Sequence, residues 1–220
     1  MTISPARTRA AVEARKASRV LIVLLGAIGD VVRAMPLVMR VRRALPDARI
    51  TWAVEPTAAP LLDRHPAVDE SLVFRRDRGA AAFLAFLAEI RRRRFDLTLD
   101  LQRHLKSGVV SLVSGAPRRV GFHRSNGKEG NWLFNTESIP AQPHWSSKLR
   151  QYLGFADHLA LDDQRIDFGL SLDREEQLRT DSLLRDLGGP FAAAFVGSTW
   201  ESRFWFAERT AEVLRALSNR

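Results

Sequence analysis

The chain has 220 residues, and 34 lysines and arginines against 25 aspartates and glutamates give it a formal charge of +9. At about 150 residues per domain, this length corresponds to roughly one and a half domains. The absence of cysteine excludes a disulfide framework, thiolate metal sites and a cysteine nucleophile, and a hydrophobic content of 45% excludes a disordered chain. The basic charge leaves three partners open, namely nucleic acid, an anionic membrane and a phosphorylated substrate.

The N-terminal residues 1–18 are basic and are expected to form a mobile extension. After them, short runs rich in Val, Ile and Leu alternate with helical patterns, which is typical of βαβ units around a parallel sheet. No apolar run approaches the ~20 residues that span a bilayer. Predicted strands are Val20–Leu25, Ile50–Val54, Glu70–Val73, Leu97–Leu101 and Arg119–Gly121. Predicted helices are Val38–Leu45, Ala80–Arg94 and His144–Leu161.

The remaining segments indicate a second, smaller part of the chain. Residues 166–190 are predicted to be a connector followed by a helix, which Asp173 caps and a Gly-Gly-Pro sequence ends. Phe191–Val196 then predicts a new buried strand, and Phe206–Leu217 a further helix. We therefore expect a complete α/β domain over residues 19–165 and the beginning of a second one over residues 191–220.

A glycine-containing turn, Gly26 to Gly29, follows the first predicted strand and leads to Asp30. Ligands of open α/β sheets bind beyond the carboxyl ends of the strands, and such a turn lets a ligand approach the backbone. The turn lacks the G-x-G-x-x-G pattern, so a dinucleotide is not expected. Asp30 can act as a general base toward a hydroxyl or can cap the following helix, and spacing alone favours the cap.

Three further segments combine cations with loop residues. The segment from Asp100 to Ser107 follows a strand, where cationic side chains suit phosphate or carboxylate. The loop from Arg118 to Trp132 has a length and charge that indicate ligand contact. The segment from Gly197 to Trp205 carries hydroxyls and an arginine just before a helix, which predicts an anion site.

The densest run of charge is Arg91–Arg94, with Arg75, Arg76 and Arg78 nearby in the sequence. It indicates either a solvated helix end, where cations complement the helix dipole, or a binding patch. Apolar residues just before the run form the expected buried face of the same helix: Phe83, Leu84, Phe86, Leu87 and Ile90.

Taken in order, these segments resemble glycosyltransferase family 9, the lipopolysaccharide heptosyltransferase family. The motifs that carry the resemblance are Gly29-Asp30, Asp100-Leu-Gln102, Lys106-Ser107, Arg119-Val-Gly121-Phe122, Lys128-Glu129, Gly197-Ser198-Thr199 and Arg203-Phe204-Trp205. The resemblance implies an α/β fold of the GT-B type. Its N-terminal domain would be a complete Rossmann-like parallel sheet that binds the acceptor, and its second Rossmann-like domain, which binds the nucleotide-sugar, would be only begun here.

The same resemblance implies an inverting, metal-independent glycosyltransferase, with Asp30 and Arg203 as catalytic residues. Ser198, Thr199 and Arg203 would bind the donor phosphates. The residues expected at the acceptor are Gly29, Gln102, Arg103, Lys106, Ser107, Arg124, Lys128 and Glu129. The chain departs from the family pattern in two places: Arg203 replaces a common lysine, and Arg103-His104 replace a small residue.

The expected donor is ADP-heptose or another nucleotide-sugar, with no cofactor, and the expected acceptor is a phosphorylated, lipid-linked saccharide of the lipopolysaccharide core. We expect a cytoplasmic location with peripheral contact at the anionic inner-membrane face, and no nucleic acid partner. Because family members are longer, we also expect a truncated chain that lacks most of the donor site and is inactive alone. The alternatives are an inactive truncated family member and a basic nucleic-acid-binding module.

Overall fold

The computed structural model describes residues 17–187, 189, 191–197 and 204–218. The chain consists of two compact units, and the boundary between them lies between Leu170 and Ser171. The first unit contains one six-stranded sheet in which every pair of neighbours is parallel. Its strands are β1 Arg19–Val23, β2 Arg49–Val54, β3 Glu70–Val73, β4 Leu97–Asp100, β5 Arg118–Gly121 and β6 Glu137–Ser138. The spatial order is β3-β2-β1-β4-β5-β6, which is the Rossmann order, so the predicted parallel α/β sheet is confirmed.

Helices cover both faces of this sheet. The first unit contains α1 Ile28–Ala44, α2 Gly79–Arg92, α3 Leu105–Val113 and α4 Lys148–His158, and the second contains α5 Arg174–Leu184 and α6 Ala207–Ser218. Alternate side chains of β1 enter two separate cores, Val20 and Ile22 on the side of α1 and α4, Leu21 and Val23 on the side of α2 and α3. Both faces of the sheet are therefore buried from water, which explains why its strands are continuous apolar runs in the sequence. No helix within the described residues is long and apolar enough to cross a membrane.

The five strands predicted for the first unit are confirmed to within two residues at their ends, whereas several helical elements differ. Helix α1 begins at Ile28, well before the predicted Val38, and contains the buried Pro36. Helix α3 was not predicted because its sequence is rich in Val, Ser and Gly, which have low helix propensity. Strand β6 has two residues, too few to leave a periodic pattern.

The expected mobile extension reaches less far than residue 18. The backbone N–H and the hydroxyl of Ser18 both donate to the carboxylate of Asp96, at 2.9 and 2.8 Å, and the N–H of Arg19 donates to the same oxygen at 2.9 Å. The chain is therefore fixed to the sheet from Ser18 onward. Residues 1–16 of that prediction lie outside the described residues.

The expected buried face of α2 is only partly buried. Phe86 and Ile90 lie in the core, but the side chain of Leu84 is 66% exposed. The prediction for Leu84 was wrong because helical spacing does not reveal how much of a helix its neighbours cover. At the helix end, Arg93 pairs with Glu70 and Glu89, as a partly solvated helix end would.

In the second unit, the predicted cap of α5 is confirmed. The carboxylate of Asp173 accepts the N–H of Glu176 at 2.7 Å, and the Glu176 carboxylate accepts the N–H of Asp173 at 2.9 Å. The predicted strand Phe191–Val196 was wrong, since residues 191–197 are exposed and form no ladder. A strand needs a neighbour for its backbone groups, and none occurs among the described residues of this unit.

Candidate functional site

The sheet reverses its strand order between β1 and β4, and the loops that follow these two strands are joined there. The side-chain oxygen of Gln102 accepts the N–H of Leu25 at 2.7 Å and that of Gly26 at 3.4 Å. Such a switch point is where open α/β sheets bind ligands, at the carboxyl ends of the strands. Gln102, a predicted acceptor residue, therefore holds the two loops in register beside this crevice.

Asp30 lies in the first turn of α1, just past the loop after β1. It does not cap the helix: Ala27 is the N-cap residue, and no side chain caps this end. The Asp30 side chain is 32% exposed and pairs with Arg33 at 3.3 Å. Gly29 keeps this turn open, because a Cβ there would lie 3.3 Å from the Arg33 guanidinium. Asp30 is thus a partly exposed carboxylate that does not cap the helix.

Arg103 follows β4 and faces the same group. Its backbone is left-handed, with φ of 73°, a conformation that non-glycine residues adopt mainly where the surroundings enforce it. Its guanidinium lies 4.3 Å from the centre of the Phe122 ring and also bonds the side chain of Gln151. Burial lowers the pKa of Arg103, while the charges of Tyr152 and Asp30 oppose that shift. Arg103 therefore lies within electrostatic reach of Asp30.

Helix α4 adds Lys148 and Tyr152, which the sequence analysis did not single out. Burial, followed by the neighbouring guanidinium of Arg103, lowers the pKa of the Lys148 ammonium, and Asp30 acts in the opposite direction. Lys128 and Arg33 also act on Lys148. Arg33, Arg103 and Lys148 thus lie within electrostatic reach of Asp30, and Lys128 lies within reach of Lys148. Ser147, whose side chain caps α4, is a sequence signal for the start of this helix. No feature of the sequence near Lys148 indicates that it lies close to Asp30.

The phenol of Tyr152 lies close to Asp30. The tyrosine is 2% exposed, and burial raises its pKa above the ordinary value. The charge of Asp30 and a hydrogen bond to it raise the pKa further. A buried phenol that stays neutral beside Asp30 leaves the charge of that carboxylate to the neighbouring cations.

A buried network supports the loop after β4. The amide of Asn131 donates to the Asp100 carboxylate at 2.7 Å and lies 3.1 Å from the Ser107 hydroxyl, which itself donates to the carbonyl of His104 at 2.8 Å. Burial raises the pKa of Asp100 to about 6 although these hydrogen bonds favour its ionised form. Ser107, a predicted acceptor residue, is completely buried and shapes the loop from within.

The remaining predicted acceptor residues occupy separate positions. Glu129 accepts the N–H of Leu105 at 3.1 Å at the start of α3, and its pKa is lowered first by its hydrogen bond to His104. Lys106 lies 5.4 Å from the ring of Phe74, on the α2 side of the sheet.

Arg124 and Lys128 are the two exposed cations of the loop after β5. Arg124 lines a hollow of about 250 Å³ together with Trp132 and Glu137. The N–H of Lys128 donates to the carbonyl of Arg103 at 2.9 Å, which links this loop to the loop after β4. The structure thus brings Lys128, but not the side chain of Lys106, close to Lys148, which is itself near Asp30.

The predicted donor residues Ser198, Thr199 and Arg203 lie outside the described residues. Within the described part of the chain, no three His, Asp or Glu side chains come together as metal ligands. Donor binding and metal independence both stay predictions.

Most of the chain matches known lipopolysaccharide heptosyltransferases. Lipopolysaccharide core heptosyltransferase OpsX of Haemophilus influenzae is 25% identical over 194 residues, which are 87% of this chain and 54% of that protein. Lipopolysaccharide heptosyltransferase 1 of Pseudomonas aeruginosa is 26% identical over 199 residues, covering 85% of this chain and 54% of the relative. The chain therefore spans about half the length of the curated relatives that it matches.

Solved structures agree at the level of fold. The family 9 glycosyl transferase of Veillonella parvula superposes with a TM-score of 0.71 at 18% identity, covering 94% of this chain and 61% of that one. E. coli heptosyltransferase WaaC, solved with ADP-2-deoxy-2-fluoro heptose, gives a TM-score of 0.65 at 21% identity over 90% of this chain and 65% of that one. The fold is thus the α/β, GT-B type. The family model "Glycosyltransferase family 9 (heptosyltransferase)" matches residues 83–220, more than half of the sequence, and the chain belongs to that family.

Proposed function

We propose that this chain carries the acceptor site and the general base of an inverting, metal-independent glycosyltransferase. The donor is ADP-heptose, and the acceptor is a phosphorylated saccharide of the lipopolysaccharide core. The observation that carries the proposal is the reachable carboxylate of Asp30 at the switch point of the sheet, with cations of α1, α4 and the loop after β4 within electrostatic reach. A carboxylate among cations suits an acceptor that offers a hydroxyl and several anionic groups.

In the proposed reaction, Asp30 takes the proton of the acceptor hydroxyl. The hydroxyl oxygen then forms a bond to the anomeric carbon of the donor sugar while the bond from that carbon to the diphosphate breaks on the opposite face. ADP leaves with the bonding electron pair, and the configuration at the anomeric carbon inverts. Tyr152 lies beside the carboxylate, and a positioned base contributes about 10²–10⁴-fold to the rate.

Acceptor anions would bind the cations beside Asp30. Arg103 is held by Phe122 and Gln151, so its guanidinium is already oriented for a bidentate contact with phosphate or carboxylate. Lys128 and Lys148 add positive charge without a fixed geometry. Arginine at position 103 therefore favours an acceptor with an anionic group close to the reacting hydroxyl.

We propose that Ser198, Thr199 and Arg203 bind the donor diphosphate. Charge that develops on a leaving diphosphate can be stabilised by hydroxyls, backbone N–H groups and a guanidinium without a metal ion. The family match, which includes residues 197–205, and the solved relative with an ADP-sugar analogue support this assignment. A lipid-linked acceptor further implies work at the cytoplasmic face of the inner membrane.

The test compares Asp30→Asn with the wild-type sequence in a full-length version of the enzyme, because this chain is expected to lack most of the donor site. It measures transfer from ADP-heptose to a heptose-deficient lipopolysaccharide core. We expect the rate to fall by about 10²–10⁴-fold, because the amide cannot accept the proton, while calorimetric affinity for the acceptor changes little. Asp47→Asn is the matched control, since Asp47 is exposed and lies between α1 and β2, at the amino ends of the strands and away from the site. Wild-type transfer by Asp30→Asn, or a wild-type chain that binds no acceptor, would contradict the proposal.

A further inference from the structure

Helix α2 has an outer surface that is unusual for a helix facing water. Residues 79–88 carry no charged or polar side chain. Phe86 is buried and Phe83 and Leu87 pack half-buried against the core, so the outer face consists of Leu84, alanines and Gly79. Leu84 is 66% exposed. The outer face of a surface helix is ordinarily polar, so ten apolar or glycine residues in succession indicate a face that is covered in use.

The apolar surface continues onto the edge of the sheet. Strand β3 is the edge strand, and Val73 on it is 36% exposed. A groove of about 600 Å³ lies between β3 and α2, and its apolar lining includes Leu72, Val73, Ala82, Ala85 and Phe86. Helix and groove together form one apolar strip, called the α2 strip below.

Arginines stand at both ends of the α2 strip. Arg75, Arg76 and Arg78 precede the helix, and Arg91 and Arg94 follow its exposed face; all five are exposed. None of them makes an ion pair with any residue that the structure describes, in contrast to Arg92 and Arg93, which pair with acidic side chains. The strip therefore combines an uncovered apolar centre with two groups of net positive charge, the first of which also contains the carboxylate of Asp77.

We propose that the α2 strip docks on the surface of an anionic phospholipid bilayer. Its apolar centre would enter the boundary between headgroups and acyl chains, and the arginines at both ends would bind lipid phosphates. This division into apolar and cationic contacts is that of an interfacial helix, which needs neither great length nor a membrane-spanning sequence.

The charge pattern favours a bilayer over other occupants. A second copy that covered the strip face to face would bring its own arginines against these arginines. A nucleic acid would satisfy the cations but not Leu84 and the alanines, and Phe86 is buried and cannot stack on bases. An anionic bilayer matches both parts of the strip at once.

This inference deepens the proposed function, on which its biological meaning rests, but it is tested without any transfer reaction. Arg75 and Arg78 follow the carboxyl end of β3, and Asp30 follows the carboxyl end of β1. Because the two strands belong to one parallel sheet, these residues lie at the same end of its strands. Docking through the strip would thus hold the candidate site beside the membrane from which a lipid-linked acceptor is supplied.

The experiment measures sedimentation of the whole chain with vesicles made of phosphatidylcholine and phosphatidylglycerol in equal parts. We expect binding that weakens strongly as salt rises from about 0.1 M to about 1 M, since the Debye length falls from ~10 to ~3 Å. The double variant Arg75→Ala/Arg78→Ala should lower the partition coefficient roughly 25-fold, at about fivefold per arginine. Leu84→Glu should lower it at least tenfold without changing the melting temperature, because its side chain is largely exposed.

The matched control is Arg174→Ala/Arg179→Ala, two exposed arginines of α5 with the same loss of charge. Equal losses in the control and in the Arg75/Arg78 variant would overturn the proposal, because net charge and not the strip would then drive binding. Equal binding to pure phosphatidylcholine, no binding to either vesicle, or a salt-dependent complex with duplex DNA in place of vesicles would also overturn it. Vesicle binding that persists in Asp30→Asn separates this proposal from the transferase proposal.

Discussion

Asp100 is a buried carboxylate beneath the candidate site, and its protonation is coupled to folding. It has no exposed surface, accepts hydrogen bonds from Asn131 and from the N–H of Gln102, and has a pKa raised by burial from 3.8 to about 6. The folded chain therefore binds this proton more tightly than the unfolded chain does. The stability that this group contributes is fully present below pH 3.8 and is lost as the pH rises through about 6.

Replacing Asp100 with Asn should remove that pH dependence. At 1.36 kcal/mol per pKa unit, the wild-type free energy of unfolding should fall by about 3 kcal/mol from this group between pH 3.8 and 6. The difference between Asp100→Asn and wild type should therefore shift in favour of the variant over this range. Urea unfolding at a series of pH values measures it, with Asp47→Asn as the exposed control; parallel curves for Asp100→Asn and wild type would refute the coupling.

The packing of two helices determines how Asp30 is presented. Helix α1 supplies Asp30, and α4 supplies the buried Tyr152, which packs with its ring centre 6.4 Å from that of Phe122. Burial is the main cause of the raised pKa of Tyr152, and the carboxylate of Asp30 adds to it. The titration of this phenol therefore reports the contact between the two helices.

Tyr152 is the only tyrosine in the sequence, so its phenolate absorbance can be followed without interference from another tyrosine. We expect its pKa in the folded chain to lie well above the ordinary value of 10.0. Asp30→Asn should lower it, because a negative charge beside the phenolate is removed, yet burial should keep it above 10.0. Circular dichroism at each pH verifies folding, and Asp47→Asn should titrate as wild type. Identical curves for Asp30→Asn and wild type would show that α4 does not hold Tyr152 against Asp30.

These two helices also mark the limit of prediction from sequence. The sheet follows from short apolar runs, and Asp30 and Arg103 follow from the rule that ligands bind beyond strand ends, since both signals are local. Tyr152 and Lys148 reach the site only through the packing of α4 against α1, which no spacing in the sequence encodes. The prediction that Leu84 is buried was wrong for the same reason, because helical periodicity identifies an apolar face but not whether a neighbour covers it.

At the scale of the whole molecule, the first unit extends past the predicted limit of residue 165, to Leu170. Arg40 on α1 is 3% exposed and donates to the carbonyls of Gln164 and Arg165 at 2.7 and 3.1 Å. The Nε2 atom of His65 lies 2.9 Å from the carbonyl of Phe168. The segment before the second unit is thus part of the first unit, held by a side chain of α1 and by one from the segment between β2 and β3.

Arg40→Met should release this segment while keeping most of the buried volume. Because two carbonyls lose a charged donor, we expect the free energy of unfolding of the first unit to fall by about 2–4 kcal/mol. Trypsin should then cleave after Arg165 in the folded chain much faster than in wild type, since the backbone at residues 164–165 is no longer held. Arg150→Met, at an exposed position of α4, is the matched control and should change neither quantity. If Arg40→Met is cleaved and unfolds like wild type, contacts other than those of Arg40 hold the segment before Ser171 to the first unit.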